Sequence, residues 1–233
     1  MENDEREFIE IEVIARIHTD FPTTFGIPRQ SGIIRSLEGR IIFEPRYRNK
    51  EAVKGIEQYS YLWLIWQFSE KISEGWSFTA RPPSLGGKIR VGVFASRSPY
   101  RPNHLGLSSV KLERVEMDEK LGPVLYVSGA DLMDNTPIFD IKPYVLTIDS
   151  HPEAVSKISG EVEKERLVVD IPRKLVDKIP SNKIKALREV LAEDPRRSHK
   201  EDSSWIFCLP FGGMNIRFRV EENHLIVMEV ENL

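Results

Sequence analysis

Apolar and polar residues alternate over short stretches through most of the first 145 positions, and a period of two marks half-buried strands. In the first stretch Ile9, Ile11, Val13, Ala15 and Ile17 share one face, while Glu10, Glu12, Ile14 and Arg16 share the other. Thr19 to Gly32, with Pro22, Gly26, Pro28 and Gly32, reads as a loop. Ile33 to Leu37 and Arg40 to Phe43 then flank Glu38-Gly39 in the pattern of a hairpin. Ala52, Val53 and Ile56 recur at helical spacing, predicting a short helix within Glu51 to Tyr59. Tyr61 to Phe68 is aromatic and branched throughout, which predicts a central strand covered on both faces. Lys88 to Ala95, Leu105 to Val115, Pro123 to Gly129 and Ile138 to Tyr144 are further strand candidates.

So many short strands with turn signals between them predict an all-β barrel or sandwich over residues 8–150. The pattern shifts at Asp149-Ser150-His151-Pro152. Strands are expected around Gly160 to Ile171, followed by a helix over Ser181 to Glu193 with Ile184, Leu187, Val190 and Leu191 on one face. Ser181 or Asn182 would cap that helix and Asp194-Pro195 would stop it. Trp205 to Leu209, Ile216 to Val220 and Leu225 to Val230 read as closing strands, so residues 151–233 form a smaller α+β domain.

Composition narrows this picture only a little. With 233 residues, 40% of them apolar, the chain can build one large core or a main core plus a smaller one. The net charge of -3 argues against a protein that coats nucleic acid indiscriminately, so a polyanion partner needs a local patch. Cys208, the single cysteine, lies in an apolar run and reads as a small buried hydrophobe in a reducing compartment. Met1 to Glu7 is acidic and unlike a signal peptide, and Tyr61 to Phe68 is too short to span a bilayer. A soluble cytoplasmic protein is expected.

Charge distribution says more than net charge. From Gly75 to Leu112 the chain carries Arg81, Lys88, Arg90, Arg97, Arg101 and Lys111 and no Asp or Glu. Inside this run lies Ser96-Arg97-Ser98-Pro99-Tyr100-Arg101-Pro102-Asn103-His104-Leu105-Gly106, where two prolines stiffen an irregular loop that presents guanidiniums. Asp131-Leu132-Met133-Asp134-Asn135-Thr136-Pro137, with Asp140 beyond it, is a second irregular loop of opposite sign. If a sheet brings the two together, the cleft offers counter-charges to a ligand that is cationic at one end and anionic at the other. Two plainer readings stay open: a solvated basic loop, or Arg97 or Arg101 pairing with Asp131, Asp134 or Asp140 only to pin the loops. No Rossmann or P-loop glycine pattern is present, no Gly-x-Ser-x-Gly elbow, and none of the five histidines has a partner at metal-ligand spacing.

Arg97 to Gly106, Asp131 to Pro137 and Asp140-Ile141-Lys142-Pro143-Tyr144 together resemble the signature of the TsaA-like or YaeB-like family. Pro28-Arg29-Gln30, Arg81-Pro82-Pro83 with Leu85-Gly86-Gly87, and Val91 to Arg97 add to the match, which runs from about Phe8 to Tyr144; the C-terminal part is more weakly similar to the longer members. Asn135 stands where the family more often has glycine, and His104 where some members have proline.

The resemblance implies a β-barrel, a homodimer with S-adenosylmethionine held near the subunit contact, and no metal. It implies methyl transfer to N6 of threonylcarbamoyladenosine beside the anticodon of a threonine tRNA. By position it assigns cofactor contacts to Arg29, Gln30, Ser31, Gly32, Ser69, Glu70, Arg97, Leu107, Ser128, Gly129, Ala130 and Asp131. Asp134 or Asp131, in the acidic loop, is the expected proton acceptor, and Arg81, Lys88, Arg101, Arg196, Arg197 and Lys200 are the expected contacts to tRNA phosphates. A binding module that holds S-adenosylmethionine or a nucleotide without turnover is the alternative. A DNA or unmodified-RNA adenine methyltransferase is a third reading, because Asp140 to Tyr144 faintly matches an acidic-Pro-Pro-Tyr motif, but one proline is missing.

Overall fold

A computed structural model of the protein describes residues 7–82, 89–155, 166–196 and 205–233. In chain order the first strands are β1 (Ala15–His18), β2 (Glu38–Phe43), β3 (Tyr61–Gln67), β4 (Thr79–Ala80), β5 (Val91–Gly92), β6 (Leu105–Asp118), β7 (Gly122–Ser128) and β8 (Thr136–Pro143). All but β4 and β5 close into a barrel of spatial order β1-β2-β7-β6-β3-β8, and every neighbouring pair is antiparallel. Closure leaves no unpaired edge, and Ala15, Ile17, Ile41, Leu62, Leu64, Leu125 and Ile138 fill the interior with no exposed surface.

Several sequence expectations are corrected. Only the end of the Ile9 to Ile17 stretch pairs; Ile9 and Ile11 are exposed, because β8 meets β1 only at Ala15–Ile17. Glu38-Gly39 is not a hairpin turn but the start of β2, since Ile34 and Leu37 turn away into a second core. β3 is central but not covered on both faces: Leu62, Leu64 and Trp66 are buried while Tyr61, Trp63 and Ile65 are half-buried. Lys88 to Ala95 contributes two strand residues, paired with β4 alone, and its apolar residues Ile89 and Phe94 stay exposed. Two short 3-10 turns replace the helix expected before β3.

The C-terminal part contains α1 (Leu146–Asp149), β9 (Val168–Asp170), α2 (Arg173–Val176) and α3 (Ser181–Ala192), then β10 (Phe207–Phe211), β11 (Met214–Glu221) and β12 (His224–Asn232). These last three strands and β9 form a sheet of order β10-β11-β12-β9, in which only β9 runs parallel to its neighbour. α3 buries Ala186, Leu187, Val190 and Leu191 on it; Pro180, not Ser181 or Asn182, precedes the first turn, and Asp194 at φ +54° with Pro195 ends it. Cys208 is on the exposed face of β10 rather than in the core, because the neighbouring inward positions are Leu209 and Phe211.

This second core does not follow chain order. Phe21, Ile34 and Leu37, from the loop between β1 and β2, are buried in it, and the Phe21 ring meets Phe211 edge-on at 5.3 Å. The Lys183 ammonium donates to both oxygens of Asp20 at 2.7 Å, and Ser36 donates to Glu189 at 2.6 Å. The loop is therefore clamped between barrel and second sheet.

Two substitutions test this packing. Phe21→Ala should lower unfolding free energy by about 3–5 kcal/mol in chemical denaturation, the cost of a cavity under a large buried ring; a loss below about 1 kcal/mol would mean the loop only lies on the surface. Gly106→Ala should cost about 1–3 kcal/mol by overpacking, since a Cβ there would come 2.3 Å from the Trp66 ring.

Candidate functional site

Strand direction decides which loops meet. β6 and β8 flank β3 and both run against it, with Leu105 opposite Gln67 and Ile138 opposite Trp66, so both start where β3 ends. β1 also runs against β8, and β7 against β6, so these two strands end at the same rim. The basic loop before β6, the acidic loop between β7 and β8, the turn after β3 and the long loop after β1 are thus brought to one end of the barrel.

There they enclose a cavity of about 840 Å³. Its apolar wall includes Ile65, Trp66, Phe68 and Leu107. Arg29 comes from the long loop, Glu70 and Lys71 from the turn after β3, Arg97 and Arg101 from the basic loop and Asp131 from the acidic loop. Residues of the two loops of opposite sign therefore line one cavity. They do not simply pin each other: among the described residues neither arginine forms an ion pair with Asp131, Asp134 or Asp140. Arg97 Nη1 donates to Gln30 Oε1 at 3.1 Å, and Arg101 Nη1 donates to the carbonyls of Ser96 at 2.9 Å and Ser98 at 3.5 Å.

The basic loop is stiff for a reason beyond its prolines. His104 is buried at φ +50°, a conformation proline cannot adopt, and its Nδ1–H donates to the Pro99 carbonyl at 2.9 Å. Tyr100 donates to Glu74 at 2.8 Å, and Lys71 bonds the same carboxylate at 2.6 Å. Asn135 adopts φ +64°, so it serves the left-handed turn for which glycine is the usual choice.

Asp131 is one of the two carboxylates, with Glu70, that line the cavity. Burial pushes its carboxyl above the usual aspartate range, while a hydrogen bond from Ser108, backbone N–H contacts and the Arg97 charge pull it back. Ser108 Oγ lies 2.6 Å from Asp131 Oδ1. Ser108 was invisible as a site residue in the sequence; its only signal is a small polar residue at an inward position between apolar ones.

Other residues fall differently. Asp134 does not line this cavity: its Oδ1 bonds His18 Nδ1 at 3.2 Å and the Thr19 N–H at 3.0 Å, facing a separate hollow of about 490 Å³ with Arg40 and Lys183. Ser69 and Leu107 line the main cavity with Arg29 and Glu70, and the Ser31 backbone reaches Asp131. Gly32 and Gly129 are joined by a backbone bond of 2.8 Å that holds the long loop against the acidic one; both have positive φ, and a Cβ on Gly129 would lie 3.2 Å from Gly32. Ser128 points instead to Glu113 at 2.6 Å, and Ala130 is buried in the barrel core.

Among the expected phosphate contacts, Arg81 is exposed. Arg101 is occupied by loop carbonyls, and Arg196 makes a two-pronged pair with Asp194 at 2.7 and 2.9 Å in which their side chains keep only 11% and 7% of their surface. A phosphate would have to break that pair. Lys88, Arg197 and Lys200 lie outside the described residues. Among the described residues no helix is long and apolar enough to cross a membrane, and no three His, Cys, Asp or Glu side chains are grouped to share an ion.

Residues 16–150 match the profile of the tRNA-methyltransferase O N-terminal domain. The tRNA (adenine(37)-N6)-methyltransferase of Escherichia coli K12 is 33% identical over 95% of this chain and 97% of its own length. A mouse protein of the same name is 37% identical over 60% of this chain and 31% of its own. A crystal structure of TrmO from Pseudomonas aeruginosa superposes with a TM-score of 0.78 at 25% identity, over 97% of this chain and 100% of that one. A profile that spans more than half of the chain, and a bacterial relative matched almost end to end, place the chain in the family defined by the tRNA-methyltransferase O N-terminal domain.

Proposed function

We propose that the protein transfers a methyl group from S-adenosylmethionine to N6 of adenosine 37 in tRNA, and that the base it takes is the threonylcarbamoylated form in a threonine tRNA. The observation that carries this reading is that Asp131, Arg97 and Arg29 line one cavity together with Ile65, Trp66, Phe68 and Leu107. The cavity has the volume of a cofactor site. Arg29 and Arg97 suit the methionine carboxylate, Glu70 suits the ammonium, and Trp66, Phe68 and Leu107 supply the flat apolar surface an adenine needs. When bound, S-adenosylmethionine supplies a methyl on a sulfonium: its S–C bond is exchanged for an N–C bond, and the N6 proton leaves.

Asp131 is the group placed to take that proton. A carboxylate whose affinity for protons is raised by burial is a better acceptor than an exposed one. The barrel rim contributes by excluding water and holding the charged groups of both loops in place. Asp134, in its separate hollow, is not given this role.

For the tRNA, Arg81 and Arg90 are exposed cations on the acid-free stretch that leads into the basic loop. Lys88, Arg197 and Lys200 extend the same reading by position. A homodimer is proposed on the exposed apolar surface of the β4–β5 ribbon, where Phe78 and Phe94 keep 78% and 79% of their surface and Trp76 packs on Phe78. A tRNA substrate supports the reading of a cytoplasmic protein.

Mass spectrometry of tRNA nucleosides after incubation with the protein and S-adenosylmethionine should show a methyl gained on threonylcarbamoyladenosine; cofactor binding with no methyl gained would return the protein to a binding module. Asp131→Asn should retain cofactor binding and lose about a hundredfold or more in kcat. Because the unprotonated carboxylate is the active form and burial raises its pKa, kcat should fall on acidification with a limb above the ~3.9 of an exposed aspartate. Arg97→Ala should weaken S-adenosylmethionine binding by about tenfold in calorimetry, the loss of one charge-assisted contact. Arg81→Ala should reduce the salt dependence of tRNA binding by about one phosphate contact, and an unchanged slope would remove it from the interface.

A further inference from the structure

A hydroxyl has one hydrogen, and at Ser108 its direction is decided by a neighbour. Trp66 Nε1 can only donate. It lies 3.0 Å from Ser108 Oγ, so Ser108 accepts there and its own hydrogen goes to Asp131 Oδ1 at 2.6 Å. Ser108 and Trp66 keep only 2% and 7% of their surface, so water does not compete for either bond.

We propose that Trp66 and Ser108 are positioning residues for methyl transfer, a hydrogen-bond chain that fixes the Asp131 carboxylate against the cavity wall in one orientation and favours its unprotonated form. This rests on the reading of Asp131 as proton acceptor.

The chain is built into the strand register. Trp66 stands opposite Gly106, and the indole lies over that glycine, where a Cβ would come 2.3–2.7 Å from ring atoms. Passing over position 106 lets Nε1 reach Ser108, two residues further along the same strand, the diagonal neighbour of an antiparallel pair. The pairing of β3 with β8 shifts register between Ile65 and Trp66, so the indole is aimed where the strand is locally irregular. Here the chain ends on a largely covered carboxylate of the cavity wall, and donation to the charged form opposes the effect of burial. The other charged or titratable groups facing that cavity are Arg29, Glu70, Lys71, Arg97, Tyr100 and Arg101.

The test compares Ser108→Ala, Ser108→Thr, Trp66→Phe and Asp131→Asn in full-length protein, by thermal melt, S-adenosylmethionine affinity and kcat against pH. Ser108→Ala should leave cofactor affinity within about twofold while lowering kcat about tenfold. Its acid limb should move up by about one pH unit, because the charged carboxylate loses a donor. Ser108→Thr keeps the hydroxyl and should restore the limb; Trp66→Phe, which frees the hydroxyl to rotate, should shift it in the same direction by less. A folded Ser108→Ala protein whose acid limb coincides with the parent's overturns the proposal, whatever its kcat. Should Ser108→Ala fail to fold, a Trp66→Phe limb at the parent position overturns it instead. Full turnover by Asp131→Asn would remove the acceptor reading itself, whereas a crippled Asp131→Asn beside an unmoved Ser108→Ala limb would remove the hydrogen-bond chain alone.

Discussion

The structure depends on β3 being shared. One strand carries antiparallel partners on both edges, so β6 and β8 point the same way and must begin at one end of the barrel. Residues some thirty positions apart in sequence, Arg97 and Asp131, thereby line one cavity without forming an ion pair. A barrel suits this because its hydrogen bonding is complete within the strands. The loops at its rim are then free to be irregular and polar.

Two opposing effects meet at Asp131. Apolar walls and burial disfavour its charge, while Ser108, backbone N–H groups and Arg97 favour it, and the net result is a carboxyl held above its ordinary range. A fully solvated aspartate would be a weak proton acceptor, and one buried without donors would be neutral and inert. The rim supplies an intermediate condition. Rigidity comes from elsewhere: His104 on the Pro99 carbonyl, Arg101 on its own loop, and the Gly32–Gly129 bond that ties the Arg29 segment to the acidic one.

Much of this was legible from residue order. The barrel strands β6, β7 and β8 follow their apolar patterning closely, and the opposite signs of the two loops made a shared cleft one of the open readings. What patterning cannot tell is which core receives a given apolar side. Ile34 and Leu37 lie in a run that reads as a strand, yet they serve the second sheet, and Ile89 and Phe94 lie in another whose strand partner among the described residues is two residues long. Charge alone was equally blind to occupancy: Arg101 and Arg196 read as free cations, but each is committed to a partner close in sequence. Asp134 and Asp131 are indistinguishable as letters; only the turn at Asn135 and the position of His18 separate them. Ser108 needed the third dimension altogether, since its meaning comes from Trp66 on the neighbouring strand.

The loop after β1 belongs to two masters, offering Arg29 to the cavity while Phe21, Ile34 and Leu37 are anchored under the second sheet. The C-terminal segment is thus a buttress for the mouth of the cavity and not an appendage to it. A lesion beneath α3 or along β10 would loosen the segment that carries Arg29.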